Sequence, residues 1–166
     1  PMPSQIPDNA RYSAVLCLLF PVEYELNVLL IKRKEDGKAH SGQIGFPGGK
    51  QEPEDADMLV TAQREATEEV GILPGDYNVL GALTPLYIPV SNFKVFPYVA
   101  FAERRLSYIA DQNEVAEILE VPMDKLFHAD NKITTDVTSP AMPGKLRNVK
   151  AYQVPGEKII WGATAM

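Results

Sequence analysis

Apolar residues run almost unbroken from Tyr12 to Phe20 and again from Leu26 to Ile31, on either side of the turn-rich stretch Pro21-Val22-Glu23-Tyr24-Glu25. Runs of this length and composition, bounded by turn residues, predict two strands at 12–20 and 26–32. Residues 37–49 then break the pattern with five glycines and Pro47, which predicts a shaped loop or a broken strand. No Gly or Pro interrupts Asp55 to Val70, and Gly71 follows at the position where a helix commonly stops. With Asp55 placed to cap its first turn, a helix is predicted at about residues 55–70. Further on, 78–88 and 93–101 read as strands separated by Pro89-Val90-Ser91-Asn92, and Pro97 marks an edge or a bulge. Residues 117–121 read as a strand and 122–127 as a short helix with Pro122 in its first turn. Strands near 132–137, 148–154 and 158–161 follow, and Gly162 to Met166 resembles the first turn of a helix. Strands outnumber helices, so the fold class is α+β or a three-layer sandwich.

The length of 166 residues matches one domain with one core, residues 1–166 together. Its longest apolar run, Ala14 to Pro21, falls well short of the roughly 20 residues that span a bilayer. No basic segment with a small-residue cleavage site precedes that run, which makes the cytoplasm the default expectation and a membrane an unexpected partner. Cys17 is the single cysteine, so a disulfide within the chain is excluded, and its apolar neighbours mark it as a buried structural thiol. With only His40 and His128, a multi-histidine zinc centre is excluded too.

The charge changes this picture. Acidic residues outnumber basic ones 22 to 16, for a net −6, which argues against a protein that grips long nucleic acid. Residues 50–69 alone hold seven acids against two bases, so they carry five of the six excess negative charges. On a helix advancing about 100° per residue, Glu69 lies about 40° from Glu65, and Glu68 about 60° away on the other side. Three carboxylates thus share a face beside Arg64, and that face borders the apolar stripe of Leu59, Ala62, Ala66 and Val70. Two readings fit: a solvated acidic face with an ordinary Arg64–Glu68 pair, or a site whose clustered oxygens hold a divalent cation. Phe46-Pro47-Gly48-Gly49 immediately upstream favours the second, because two glycines after a rigid turn let the backbone approach a ligand closely.

Gly49 to Ile72 resembles the Nudix box: Arg64-Glu65-Ala66-Thr67-Glu68-Glu69-Val70-Gly71-Ile72 fits its second half. Fourteen residues separate Gly49 from Arg64 where the common form has thirteen, so the first acid of the box is open between Asp55 and Glu54. That extra residue is similar to the lengthened box of the coenzyme A pyrophosphatase branch. Leu29-Leu30-Ile31-Lys32-Arg33-Lys34, Lys38, Gly42 and Phe46-Pro47-Gly48-Gly49 resemble the upstream signature of the same branch. Ile31, Lys34 and Lys38 stand where that signature has Thr, Ser and Arg.

The resemblance implies a Nudix-type α/β/α sandwich with a mixed central sheet and a catalytic helix at about 55–70. It implies a MutT-like pyrophosphatase, a hydrolase of phosphoric anhydrides that depends on Mg²⁺ or Mn²⁺. Carried over, Glu65, Glu69 and Glu68 and the Gly49 carbonyl would bind metal, Glu68 or Glu114 would orient or deprotonate water, and Arg64 would hold the acids in register. Arg33, Lys38, Lys50, Phe46 and Gly48 would meet the substrate, with Lys32 and Lys34 completing a basic rim and Tyr87 or Phe93 available to stack on a base. The expected substrate is a small nucleotide, coenzyme A or a derivative cleaved to 3′,5′-ADP and 4′-phosphopantetheine. Rival substrates are ADP-ribose, a dinucleoside polyphosphate or a nucleoside triphosphate; a non-catalytic binding module and a homodimer stay open.

Overall fold

The computed structural model describes residues 6–35, 40–89, 91–139, 142–154, 156 and 158–165. Strands β1 (Arg11–Val22) and β2 (Glu25–Arg33) form an antiparallel hairpin. Short strands β3 (Ile44–Gly45) and β4 (Gly48–Lys50) occupy the glycine-rich stretch and pair with β2 and β1 respectively. After helix α1 (Met58–Val70) come β5 (Asn78–Ala82), β6 (Leu86–Ile88) and β7 (Phe93–Phe101), then β8 (Val115–Pro122) and the one-turn helix α2 (Met123–Phe127). Strands β9 (Lys132–Ser139), β10 (Met142–Val154) and β11 (Lys158–Trp161) make a separate antiparallel sheet, followed by a 3₁₀ turn at Gly162–Ala165.

The main sheet is mixed. β1 runs parallel to β7, from Arg11 opposite Phe93 to Leu19 opposite Phe101, while its other pairings are antiparallel. Parallel neighbours need a long crossover, and here the crossover contains the glycine loop and α1. Alternation along the central strands gives each face its own core. Leu16, Leu18, Phe20, Leu29 and Ile31 face α1 and pack on Ala62, Ala66 and Val70. Val28 and Leu30 face the other way, toward Leu119, Val121, Val154 and Ile160. The third layer is thus built from α2, the small sheet and the terminal 3₁₀ turn, so the expected sandwich has one long helix on one face and mostly strand on the other.

Several boundaries differ from the sequence reading for physical reasons. The helix starts three residues later than expected because Asp57, not Asp55, caps it: the Asp57 carboxylate accepts from the Val60 N–H at 2.9 Å. The single strand expected at 78–88 is two, β5 and β6, interrupted before Pro85, which has no N–H to give a ladder. Pro122 closes β8 and caps α2 instead of entering it, and β10 begins at Met142, well before the expected 148. Cys17 is buried and burial pushes its thiol up to about 12, which makes it an inert core residue. No helix among the described residues is long and apolar enough to cross a membrane.

Candidate active site

The site begins where β4 leaves the sheet. Gly48 takes φ +154°, and a Cβ there would lie 2.3 Å from the Ala14 carbonyl oxygen of the neighbouring strand. A Cβ on Gly49 would lie 2.4 Å from the Glu65 carboxyl, so only glycine lets the loop lie flat between β1 and the acidic side of α1. The helix ends on Gly71, left-handed at φ 75°, whose N–H donates to the Thr67 carbonyl at 2.9 Å.

Asp55, one of the two candidates for the first acid of the box, is the one bonded to Arg64. It is buried, and its carboxylate takes both fork nitrogens of Arg64 at 3.0 Å, the Thr61 hydroxyl at 2.9 Å and the Glu52 N–H at 2.9 Å. The Arg64 guanidinium beside it holds Asp55 well below the usual carboxylate range, at about 2. Glu54 is exposed and stays outside this arrangement. Arg64 also donates to the Lys50 carbonyl at 3.0 Å and pairs with Glu65 at 3.1 Å and Glu68 at 3.0 Å. One planar cation therefore ties the loop, the segment before the helix and two helical acids together, which a lysine could not do. Counting from Gly49 reaches Asp55 and counting back from Arg64 reaches Ala56, so the longer spacing left the first acid open between Asp55 and Glu54; of the two, Asp55 is the one that pairs with Arg64.

Glu69 is 1 % exposed, the most enclosed acid of the site. Its Oε2 accepts the Gly48 N–H at 2.8 Å, while Arg33 Nη1 lies 3.0 Å from Oε1 and Arg33 Nη2 donates to the Gly48 carbonyl at 2.6 Å. Burial pushes Glu69 up to about 7, opposed by the Arg33 charge and the Gly48 N–H. Glu65 is raised as well, by burial first, with Arg64 pulling it back down. Glu114 adds a further negative field that raises both acids. Its loop is strapped to the end of α1, since Ile109 N–H and Asp111 N–H donate to the Val70 and Glu69 carbonyls at 2.9 and 3.0 Å. Glu68 lies on the exposed side of the helix, where it pairs with Arg64.

Among the described residues no three His, Cys, Asp or Glu side chains form a closed metal cage. The donors nevertheless fit a hard cation. Glu69 Oε1 is buried and accepts no hydrogen bond, the Arg33 Nη1 charge lying 3.0 Å away outside hydrogen-bond geometry; Glu65 lies against the cradle that a Cβ on Gly49 would fill, and Glu114 adds a negative field at both acids. Two buried carboxylates, both raised and both in the negative field of Glu114, are the electrostatic condition that a divalent ion relieves with oxygen ligands.

Around this centre the basic rim is only partly assembled. Lys50 is exposed beside the loop, and Lys34 spends its ammonium on the Gln112 carbonyl. Lys38 lies outside the described residues. Phe46 packs against the second core, Tyr87 donates to Asn92 at 2.8 Å, and Phe93 lies under the Arg11 guanidinium at 4.2 Å. On the face away from α1, a cavity of about 890 Å³ opens from Arg33, Gly48 and Gly49 and continues between β1, β7 and the third layer. Its walls are largely apolar, among them Leu19, Leu30, Val99 and Ile160. That cavity escaped the sequence reading, because its walls come from eight separate stretches of chain.

A glycine loop feeding an acid-lined helix on a mixed sheet is the arrangement of a pyrophosphate-cleaving hydrolase, and the comparisons agree. The NUDIX domain model matches residues 10–139. The chain belongs to the Nudix family and is a hydrolase acting on pyrophosphate bonds. It is 36% identical over 138 residues to the Nudix hydrolase NudL of Pectobacterium atrosepticum, covering 83% of this chain and 69% of that protein. Against NudL of Photorhabdus laumondii it is 34% identical over 165 residues, covering 99% and 85%. The fold matches RenU, a Nudix hydrolase of M. smegmatis, with a TM-score of 0.59 at 20% identity over 81% of this chain and 78% of that one. It matches a C. elegans Ap4A hydrolase complex with a TM-score of 0.59 at 16% identity, over 68% and 80%. Nudix hydrolases use divalent metal ions.

Proposed function

We propose that this chain hydrolyses the diphosphate of coenzyme A or its acyl derivatives, releasing 3′,5′-ADP and the phosphopantetheine half. The observation that carries the reading is the meeting of Arg33 and the Gly48–Gly49 turn with Glu69 and Glu65, in the field of Glu114, beside a large apolar cavity that Arg33, Phe46, Gly48 and Gly49 line. A diphosphate held at that mouth would leave its less polar arm room along the sheet, away from the acids.

In this reading Glu65, Glu69 and the Gly49 carbonyl would hold Mg²⁺ or Mn²⁺, with Glu68 as a further ligand. When bound there, the ion supplies neutralisation of phosphoryl charge and activation of water. Glu114 takes the proton as the water oxygen bonds to phosphorus and the bridging P–O bond breaks, the leaving phosphate carrying away the electron pair. Arg64 holds Glu65, Glu68 and the loop in register. Lys50 and Lys38 meet the phosphates from the rim, with Phe46 and Gly48 shaping the wall beside them.

Incubation with coenzyme A, ADP-ribose, diadenosine tetraphosphate and nucleoside triphosphates, each with Mg²⁺ and with Mn²⁺, separates the substrates by product mass. 3′,5′-ADP from coenzyme A supports the reading; turnover of another compound in preference reassigns the substrate. Absence of metal-dependent turnover on every compound would make the chain a binding module.

A further inference from the structure

The Arg33 side chain is 31 % exposed at the edge of the cavity, yet its guanidinium is committed to protein partners. It closes a ring with the acid and the loop: Nη1 lies 3.0 Å from Glu69 Oε1, Nη2 donates to the Gly48 carbonyl at 2.6 Å, and the Gly48 N–H donates to Glu69 Oε2 at 2.8 Å. Both peptide groups of Gly48 are thereby fixed, and so is the plane of a carboxylate with 2 % side-chain exposure. The backbone aims this arginine. β2 shifts register against β8 between Lys32 and Arg33, and the Arg33 N–H turns to the Gln43 carbonyl at 2.9 Å. Alternation with Leu29 and Ile31 sends the side chain to the α1 side, where it meets Glu69 and the loop.

We infer that Arg33 is a positioning residue: it sets the Gly48–Gly49 turn and the Glu69 carboxylate in the geometry that receives the cation, instead of recognising the substrate. The inference rests on Glu69 as a cation ligand, the reading given above, and removes Arg33 from the substrate rim. Groups hydrogen-bonded behind metal ligands orient them, and their loss typically weakens metal binding by about 10–100-fold. The planar fork matters, because one ammonium cannot reach Glu69 and the Gly48 carbonyl along two parallel bonds. Arg33→Lys should therefore recover part of the loss and Arg33→Met none.

Mn²⁺ binding to the full chain, followed by electron paramagnetic resonance without any substrate, tests this directly, alongside kcat and KM on whichever compound the wild-type protein cleaves. The expected result is that Arg33→Met binds Mn²⁺ at least about tenfold more weakly, Arg33→Lys falls between it and wild type, and kcat drops at saturating substrate while KM changes less than about threefold. Unchanged Mn²⁺ affinity with a tenfold rise in KM would overturn the inference and return Arg33 to the substrate. Circular dichroism at the assay temperature confirms that each variant is folded. Should the wild type cleave nothing, the Mn²⁺ measurement still decides the role of Arg33, so the two readings fail separately.

Discussion

The two faces of the main sheet are built to different standards of closure. Toward α1, Leu16, Leu18, Phe20, Leu29, Ile31, Ala62 and Ala66 are all fully buried, and small alanines let the helix lie close against β1. Toward the third layer, the same strands border a cavity of about 890 Å³. Glu69 and the Gly48–Gly49 loop sit at the junction. Their positions are fixed by the tight side, while the space they serve is on the loose side. A rigid face that holds ligand atoms to a fraction of an ångström and an open face that admits a substrate is the division of labour that metal-assisted hydrolysis needs.

Replacing a group at the junction should have the largest effect. Glu69→Gln, and likewise Glu68→Gln, is expected to lower kcat by at least about a hundredfold with the fold retained, measured by product release and circular dichroism together. Near-wild-type turnover would remove that carboxylate from the chemistry.

Overfilling the closed face comes next. Ala66→Leu forces extra atoms between α1 and β1 and should cost about 1–3 kcal/mol in urea unfolding. The same enlargement on the open face, Cys17→Leu, should cost less than about 1 kcal/mol, because Cys17 borders the cavity. Equal losses at both positions would erase the difference between the faces.

The Asp55–Arg64 brace sharpens the comparison through pH. A folded carboxyl depressed from 3.8 to about 2 contributes stability that is fully present above about pH 4 and is lost as the pH falls through about 2. Asp55→Asn should therefore be less stable than wild type by about 1–2 kcal/mol at pH 7, and the gap should close on acidification toward pH 2. A gap independent of pH would mean that the loss comes from packing, not from the charge.

The closed face was largely legible in the sequence. Ala62, Ala66 and Val70 fall on one helical stripe, Gly71 ends it, and the two long apolar runs became β1 and β2. Local signals suffice where one element supplies the whole pattern. The brace was only half legible: Arg64 was assigned to hold the acids in register, but Asp55 was read both as the helix cap and as one of two candidates for the first box acid, since Asp55 and Asp57 are equally good capping residues. Only the fold shows that Thr61 and Arg64 claim Asp55 while Asp57 faces the free Val60 N–H. Arg33 was read as one lysine-like charge among five: alternation with Leu29 and Ile31 puts it on the α1 face, but spacing along the strand carries no sign that Glu69 and the Gly48 carbonyl meet it there. The cavity was invisible, as its walls converge from distant segments.

Mass analysis of the products formed from coenzyme A with Mn²⁺ tests the central claim most directly. The account predicts 3′,5′-ADP and 4′-phosphopantetheine in equal amounts, both abolished by chelation of the metal and both reduced by at least about a hundredfold in Glu69→Gln. Intact coenzyme A after incubation with active protein, alongside metal-dependent cleavage of ADP-ribose or diadenosine tetraphosphate, would contradict it.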